Sequence, residues 1–310
     1  MQYRKLGRSG LNVSVIGLGT NQFGGKVDAK GVREIVATAL DLGINFLDTA
    51  DIYQEGRSEQ TLGQALESER ERVILATKVG MKTGDGPNDT GASRQRVMAG
   101  AEASLRRLRT DRIDLYQIHQ WDDETPIEET LRALDDLVRA GKVRYVGASN
   151  FAAWQLAQAN LLAESSGWTA FVTIQPHYHM LERDVEREML GYCRSEGVGV
   201  LPYFPLAGGF LTGKYQRGQP APGGSRGESS AYVKKYMVDE NYDRIERLEA
   251  WARERGRTLA DLAHAWLLAR PEVSSVISGA TRPEQVSANA KAFDFELSET
   301  ELAEIGIILE

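Results

Sequence analysis

Short apolar segments and amphipathic helix-like segments alternate along this whole chain, and that alternation limits the folds open to it. Each apolar segment is rich in Val, Ile and Leu and precedes a helical pattern; the segments are residues 13–18, 45–47, 73–77, 113–118, 143–147, 171–174, 198–203 and 275–277. Alternating strands and helices favour a parallel sheet covered by helices. An open doubly wound sheet would carry a glycine-rich fingerprint after its first strand, and none is found. Eight units in 310 residues therefore predict an α/β fold, the (β/α)8 or TIM barrel.

Three parts of the chain lie outside this repeat. Residues 1–12 are expected to form a hairpin around Arg8-Ser9-Gly10 that closes the bottom of the barrel. Residues 216–240 are rich in Gly, Pro and Ser and predict a long loop. Residues 241–255 and 298–309 predict two extra helices, the second opened by the capping box Ser298-Glu-Thr-Glu301. No linker divides the chain, so residues 1–310 are expected to form a single barrel domain.

The composition excludes several classes of protein. With 42% hydrophobic and 26% charged residues, the chain has ordinary globular composition. Its net charge of −7 argues against nucleic-acid binding. We find no apolar run long enough for a membrane span and no signal peptide, so we expect a cytoplasmic protein. The lone cysteine, Cys193, excludes an internal disulfide and is expected to be a buried thiol.

Polar, titratable residues follow three successive strands. Asp48 and Tyr53 follow the second strand, Lys78 the third and His119 the fourth. Parallel barrels hold their active sites at the carboxyl ends of their strands. A tyrosine, with a pKa near 10, is a poor acid at neutral pH, but an ammonium group beside it is expected to lower that pKa. Lys78 would serve, Asp48 would hold Lys78, and His119 would orient a carbonyl group. None of these side chains donates hydride, so a cofactor is required.

With these residues in this order, the chain resembles the aldo-keto reductases, from Gly17-Leu-Gly-Thr20 to Phe293-Asp-Phe-Glu-Leu297. It is closer to the bacterial and potassium-channel β-subunit branches than to aldose reductase, which has Lys-Ser where this chain has Gly279-Ala280. The resemblance implies that Asp48, Tyr53, Lys78 and His119 form a catalytic tetrad. It also implies that NADPH, with NADH possible, lies extended across the barrel without a Rossmann domain and reduces an aldehyde or ketone.

The resemblance further implies a set of cofactor contacts. Ser149, Asn150 and Gln175 would bond the nicotinamide amide, and Tyr203 would stack on its ring. Arg282 and Lys214 are the candidates for the adenosine 2′-phosphate, which favours NADP(H); Pro283 starts a helix there, and a helix N-terminus suits phosphate. The remaining implied contacts are Gly19, Thr20, Asn21, Asp48, Pro205, Leu206, Gly279, Thr281, Gln285 and Asn289.

The expected substrate is a small carbonyl compound. Phe23 and Trp121, on loops at the active-site face, are expected to contact it beside Tyr53 and His119, because pocket walls are commonly aromatic. Tyr232 and Tyr236 would extend this apolar wall. The patterns specify neither the particular carbonyl compound nor the oligomeric state.

The chain has alternative functions to consider, and several single residues have alternative roles. A cofactor-sensing regulatory subunit of the channel β type would be expected to carry an N-terminal extension, whereas this chain starts about a dozen residues before its first strand. A barrel hydrolase lacks its metal ligands or paired carboxylates. His177 and His179 suggest a metal site, but no third ligand is evident, so no metal is expected. His264 is expected to be structural and Asp51 solvated or loop-holding. Arg106, Arg107 and Arg109 are expected to be solvated.

Overall fold

A ring of eight parallel strands forms the centre of the molecule in the computed structural model, which describes residues 1–310. The ring runs in the order β10-β3-β4-β5-β6-β7-β8-β9, and isolated bridges Val200–Val273 and Tyr203–Ile277 join its two edges. The predicted barrel is confirmed. The strands of the molecule are β1 (Tyr3–Lys5), β2 (Asn12–Ser14), β3 (Ile16–Gly19), β4 (Phe46–Asp48), β5 (Ile74–Val79), β6 (Ile113–Ile118), β7 (Val143–Ser149), β8 (Thr173–Gln175), β9 (Gly199–Val200) and β10 (Val276–Gly279).

Helices surround the ring, and none is long and apolar enough to cross a bilayer. The two predicted extra helices are present as α9 and α12, and Ser298 and Glu301 form the predicted capping box of α12. The helices are α1 (Ala29–Asp41), α2 (Arg57–Ala65), α3 (Arg94–Leu108), α4 (Ile127–Arg139), α5 (Ala153–Ser165), α6 (Met189–Glu196), α7 (Arg226–Ser229), α8 (Ala231–Lys234), α9 (Asp239–Glu254), α10 (Leu259–Leu268), α11 (Pro283–Lys291) and α12 (Glu299–Leu309).

Strand alternation separates an apolar floor from a polar upper layer inside the barrel. Phe46, Ala76 and Leu115 belong to one buried apolar cluster within the ring. Two residues further along the same strands stand Asp48, Lys78 and Gln117, all buried. Because side chains two residues apart share one face of a strand, the polar residues lie directly above the apolar ones. The barrel thus presents buried charges at its carboxyl end on a packed floor.

The N-terminal hairpin closes the bottom of the barrel, as predicted, but extends further than expected. β1 and β2 pair antiparallel with Tyr3 opposite Ser14. Val13 therefore belongs to the hairpin, and the first barrel strand begins only at Ile16. Leu6 and Val13 pack into the apolar cluster of the barrel floor. Their burial removes the open end of the ring from water, which stabilises the fold without involving the polar end.

Two other segments differ from their predicted form. Residues 216–240 are not wholly irregular, since α7 and α8 lie within them. The strand expected at 198–203 is reduced to β9, with two residues, because Pro202 has no N–H for a ladder hydrogen bond. Cys193 lies in α6, as expected, and burial raises the pKa of its thiol to about 12, so it is inert.

Candidate active site

Asp48, Lys78, Tyr53 and His119 converge at the carboxyl end of the barrel. The Lys78 ammonium donates to Asp48 Oδ2 at 2.6 Å and to the carbonyl of Thr49 at 2.8 Å. It lies 3.4 Å from the Tyr53 hydroxyl. The rings of Tyr53 and His119 meet edge to face, with centroids 5.9 Å apart. The structure therefore brings the four predicted side chains into one cluster.

Asp48 is held from three directions. Its Oδ2 accepts from Lys78, while its Oδ1 accepts from Gln117 Nε2 at 3.2 Å and from Gln175 Nε2 at 3.0 Å. The sequence analysis did not identify Gln117 as a site residue. Its position two residues before His119 on β6 could have indicated it, because side chains two residues apart share one face of a strand. The two amides fix the orientation of the Asp48 carboxylate, so its Oδ2 remains directed at Lys78.

The pKa of Tyr53 differs from the expectation that Lys78 would lower it. Burial raises the pKa of Tyr53 above its usual 10, and the opposing effect of Lys78 is smaller. The Asp48 charge acts in the same direction as burial. The reason is visible in the distances, because Lys78 lies closer to Asp48 and Thr49 than to the tyrosine hydroxyl. Tyr53 is therefore protonated at neutral pH and can serve as a proton donor.

The charge states of Lys78 and His119 are also set by the cluster. Burial alone would lower the pKa of Lys78, but the attraction of Asp48, followed by that of Tyr53, raises it overall. Burial, assisted by the Lys78 charge, lowers the pKa of His119 to about 3. The imidazole is therefore neutral, and its Nδ1 has no hydrogen-bond partner within the protein. A neutral imidazole can hydrogen-bond a carbonyl oxygen without taking Tyr53's part as acid.

The backbone that follows Tyr53 is strained. Gln54 and Glu55 have φ of 51° and 57°, in the left-handed region that non-glycine residues rarely adopt. Gln54 Nε2 donates to the carbonyl of Asn21 at 2.9 Å and so ties this turn to the loop after β3. Such strain persists only where surrounding contacts enforce it, and it concentrates at functional sites.

The residues expected at the nicotinamide form a connected set beside His119. Asn150 Nδ2 donates to the carbonyl of His119 at 3.0 Å, and Asn150 Oδ1 accepts from the Tyr203 hydroxyl at 2.9 Å. Ser149 Oγ donates to the carbonyl of Gln175 at 2.8 Å. Tyr203 itself is only half-buried, so its ring borders the cleft. The structure brings these four residues together next to the tetrad.

Three cations border the region expected to hold the phosphates. Lys214 and Arg226 have no carboxylate within 4.0 Å, and Arg282 approaches only Glu284, at 3.8 Å. Arg226 was not predicted as a cofactor contact because it lies in the segment predicted to be a loop. It donates to Asn21 Oδ1 at 3.3 Å and its guanidinium lies over Phe204. Burial lowers the pKa of Arg226, so this cation is desolvated without an ionic partner and favours an anionic ligand.

The cofactor contact expected at Thr20 and the substrate contact expected at Phe23 stay predictions. Both residues have no exposed surface. The Thr20 hydroxyl donates to the carbonyl of Asp48 at 2.9 Å and shares a hydrogen bond with Ser58, while Phe23 packs in the core. Gly19 and Asn21, on either side of Thr20, are partly accessible, and Trp121 is half-buried at the rim against Phe151.

The remaining predicted contacts fall into two groups. Ser149, Gln175 and Pro205 are buried, whereas Leu206 is partly accessible. At the start of α11, Gln285 Oε1 accepts from the backbone N–H of Thr281 at 2.7 Å and so ties the preceding loop to the first turn of the helix. Gly279 is exposed and Asn289 half-buried nearby.

The sequence showed no third ligand beside His177 and His179, but the structure supplies Glu182, with ligand atoms within 4.8 Å. The backbone N–H of Leu181 donates to His179 Nδ1 at 3.2 Å. A neutral His179 therefore carries its proton on Nε2, the atom that faces His177, and offers no lone pair there. Lys235 also neutralises Glu182 at 3.1 Å. The cluster is a hydrogen-bond network, and the expectation of no metal site stays a prediction.

Arg107, which was expected to be solvated, is not, and Asp51 fits the loop-holding alternative instead of the solvated one. Arg107 Nε donates to the fully buried Glu59 at 2.6 Å and ties α3 to α2. Asp51 is 4% exposed and forms a buried pair with Arg96. A basic residue on a helix face is solvated only when no acidic residue is buried opposite it. The partner of Arg107 lies 48 positions away in the sequence, so the local pattern could not reveal it. His264 is structural, as expected, since it is buried against Ser278.

The chain is similar in sequence to one protein family over almost its whole length. The sequence pattern described as the aldo/keto reductase family matches residues 15–310. A protein of Arabidopsis thaliana named probable voltage-gated potassium channel subunit beta is 39% identical, over 95% of this chain and 92% of its own. An oxidoreductase of Bacillus subtilis is 39% identical, over 96% of this chain and 92% of its own. An aldo-keto reductase of Fusarium vanettenii is 36% identical, over 97% of this chain and 89% of its own.

Proposed function

This chain belongs to the aldo/keto reductase family, and from that membership and the geometry of its site we propose that it reduces an aldehyde or ketone to an alcohol with NADPH. An oxidoreductase acting on a carbonyl compound follows from the family. The choice of NADPH and the roles of single residues are our proposal. The observation that carries it is the buried Lys78 ammonium, bonded to Asp48 and within reach of Tyr53.

The side chains divide the work of reduction among them. When bound, NADPH supplies the hydride that adds to the carbonyl carbon. Tyr53, protonated at neutral pH, gives the proton of its hydroxyl to the carbonyl oxygen, and the alcohol is the product. Lys78 stabilises the phenolate left on Tyr53, and Asp48 holds Lys78 in place. The neutral His119 orients the carbonyl group.

The cofactor region has the chemistry that a dinucleotide phosphate needs. Tyr203 offers an aromatic ring beside the tetrad for the nicotinamide, and the desolvated Arg226 and the unpaired Lys214 offer cations for phosphates. Arg282 stands at the N-terminus of α11, where helix N–H groups and a guanidinium together suit the 2′-phosphate of NADPH. These donors support NADPH over NADH.

A regulatory role is the second candidate, because relatives from plants bear the name of a potassium channel β subunit. The same tetrad would then sense the state of the cofactor instead of sustaining turnover. Steady-state turnover with a panel of aldehydes and ketones distinguishes the two roles. Sustained oxidation of NADPH supports the enzyme, whereas tight NADPH binding with no turnover on any carbonyl supports the regulatory subunit.

Replacement of Tyr53 by Phe tests the proposed acid. We expect Tyr53→Phe to lower kcat at least about 100-fold, because general acid catalysis commonly contributes a factor of 10² to 10⁴. The Kd of NADPH, measured by tryptophan fluorescence, should change little. Tyr3→Phe is the matched control, since Tyr3 is a half-exposed tyrosine at the opposite end of the barrel. Turnover near the wild-type rate in Tyr53→Phe would remove Tyr53 from the role of acid.

A further inference from the structure

The buried ion pair of Asp51 and Arg96 lies directly beside the proposed acid and has no part in the reaction described above. Asp51 is 4% and Arg96 7% exposed. Arg96 extends from the first turn of α3, while Asp51 lies two residues before Tyr53. Taking two charges out of water is costly, and a buried pair is often no more stabilising than apolar residues of the same size. Stability alone is therefore a weak account of this pair.

One guanidinium group connects the two loops that carry the acid and its lysine. Arg96 Nη2 donates to Asp51 Oδ2, to the carbonyl of Met81 at 3.4 Å and to Thr83 Oγ1 at 3.3 Å. Asp51 belongs to the loop after β4, which bears Tyr53. Met81 and Thr83 belong to the loop after β5, the strand that bears Lys78.

Backbone contacts extend the same connection. The N–H of Asp51 donates to the carbonyl of Lys78 at 3.2 Å, and the N–H of Tyr53 donates to the carbonyl of Ala50 at 3.1 Å. Asp51 is thus fixed at both its backbone and its side chain to the strand and loop of Lys78. The contact from Lys78 to the Tyr53 hydroxyl is 3.4 Å, at the outer limit of a hydrogen bond, so a small shift of the loop would break it.

We propose that the Asp51–Arg96 pair is a positioning element of the reaction, which holds the Tyr53 loop against the Lys78 loop so that proton transfer from Tyr53 requires the pair intact. This inference rests on the proposed function of Tyr53. Neither Asp51 nor Arg96 is a catalytic residue here, because both act through the position of Tyr53. The strained turn at Gln54 and Glu55 makes such a clamp necessary, since the loop must be held against its own backbone preference.

The pair has a pH dependence that a purely apolar clamp would lack. Burial raises the pKa of Asp51 to about 6, against the opposing effect of Arg96. The ion pair is therefore present above pH 6 and is lost as the pH falls through that value. The other charged or titratable groups facing Asp51 are Arg107 on α3, Glu59 on α2, Tyr116 on β6 and Tyr53 itself.

None of the four histidines would produce the same pH dependence, because burial lowers the pKa of each below its usual value. Burial lowers the pKa of His119 to about 3 and that of His177 to about 4. Burial also lowers the pKa of His179 and of His264 below the usual value. A loss of activity near pH 6 therefore points to Asp51 rather than to a histidine.

The test compares Asp51→Asn with wild type and with Asp114→Asn. Asp114 forms the matched control pair with Arg70, also largely buried, at the opposite end of the strands. We expect Asp51→Asn to lower kcat at least about tenfold, because a misplacement of about 1 Å can cost 100-fold. KM for NADPH should change less than about threefold, since neither residue is among the proposed cofactor contacts. Asp114→Asn should lower the Tm and leave kcat of the folded protein unchanged.

A pH profile separates positioning from folding. Wild-type kcat should fall as the pH drops through about 6, whereas the low kcat of Asp51→Asn should show no such limb. The wild-type limb is measured without any substitution, so the test survives poor folding of the variant. Wild-type kcat that stays constant through pH 6, or a variant with kcat within twofold of wild type, would overturn the inference while the role of Tyr53 stands. Absence of turnover in the wild type would overturn both.

Discussion

At Tyr53, burial and charge oppose each other, and burial has the larger effect. The Lys78 ammonium lies 3.4 Å from the tyrosine hydroxyl but only 2.6 Å from Asp48. The negative charge of Asp48 therefore offsets much of the effect of Lys78 on Tyr53. The pKa of Tyr53 rises as a result. This residue is therefore arranged as an acid that stays protonated, and Lys78 acts mainly after the proton has left.

The three cations near the proposed phosphates should differ in what they recognise. We expect Arg282→Ala to weaken NADPH at least about tenfold and NADH little, because a charge-assisted hydrogen bond contributes about 1.5–3 kcal/mol. Arg226→Ala should weaken both cofactors alike, because we assign Arg226 to the phosphates they share. The measurement is the Kd of each cofactor by quenching of tryptophan fluorescence. An equal effect of Arg282→Ala on both cofactors would show that Arg282 does not recognise the 2′-phosphate.

The cluster of Asp48, Lys78 and His119 could be predicted from the sequence because each of these residues stands at the carboxyl end of a strand. Each of Asp48, Lys78 and His119 ends an apolar run, and parallel strands bring such ends together. Arg96 and Arg107 could not be predicted in the same way. Their partners Asp51 and Glu59 lie 45 and 48 positions away, and only the packing of α3 on the loop and helix after β4 brings them together. Charge on a helix face gives no sign of such a partner.

At the scale of elements, residues 224–236, which contain α7 and α8, form a strap that is held at both sides next to residues proposed to bind the cofactor. On one side Lys26 donates to the carbonyl of Gly224 at 2.9 Å and Arg226 bonds Asn21. On the other, the Tyr236 hydroxyl donates to Glu182 at 2.9 Å, and Lys235 bonds the same carboxylate. We propose that a cofactor bound at these residues leaves only after the strap releases at one of its two sides.

The Glu182 side of the strap should control cofactor release. We expect Glu182→Gln to speed dissociation of NADPH about tenfold, because the loss of charge weakens hydrogen bonds that contribute about 1.5–3 kcal/mol. The measurement is the dissociation rate by stopped-flow fluorescence. Lys234→Ala, an exposed neighbour on α8, is the control and should leave the rate unchanged. A wild-type dissociation rate in Glu182→Gln would mean that the strap opens elsewhere.

The sequence predicted whether each barrel element is a strand or a helix better than it predicted where the element begins and ends. The composition of residues 216–240 predicted a loop, yet α7 and α8 form there because Tyr232 and Tyr236 dock on His177 and Glu182. Tertiary contacts of this type have no local pattern. The hairpin strand β2 likewise takes Val13 from the predicted barrel strand, because the register of β1 against β2 places it in the barrel floor.

For the molecule as a whole, stability and chemistry occupy opposite ends of the barrel. At the bottom, the Arg4 guanidinium donates to the carbonyls of Leu268, Arg270 and Val273, and the hairpin covers the apolar floor. At the top, buried charges are held by other polar side chains and by strained turns. A rigid floor lets the upper loops keep a costly arrangement, since the strain energy at Gln54 and Glu55 is small beside the free energy gained by packing the barrel.

Transfer of hydride to a carbonyl carbon is the central claim, and isotope transfer tests it most directly. The purified protein would be incubated with an aldehyde panel and NADPH that carries deuterium at both hydrogen positions of the nicotinamide C4, and the alcohols would be analysed by mass spectrometry. We predict one deuterium on the carbinol carbon of the product, with the yield lost in Tyr53→Phe and retained in Tyr3→Phe. Alcohol without deuterium, or no alcohol from any carbonyl despite bound NADPH, would contradict the proposed function.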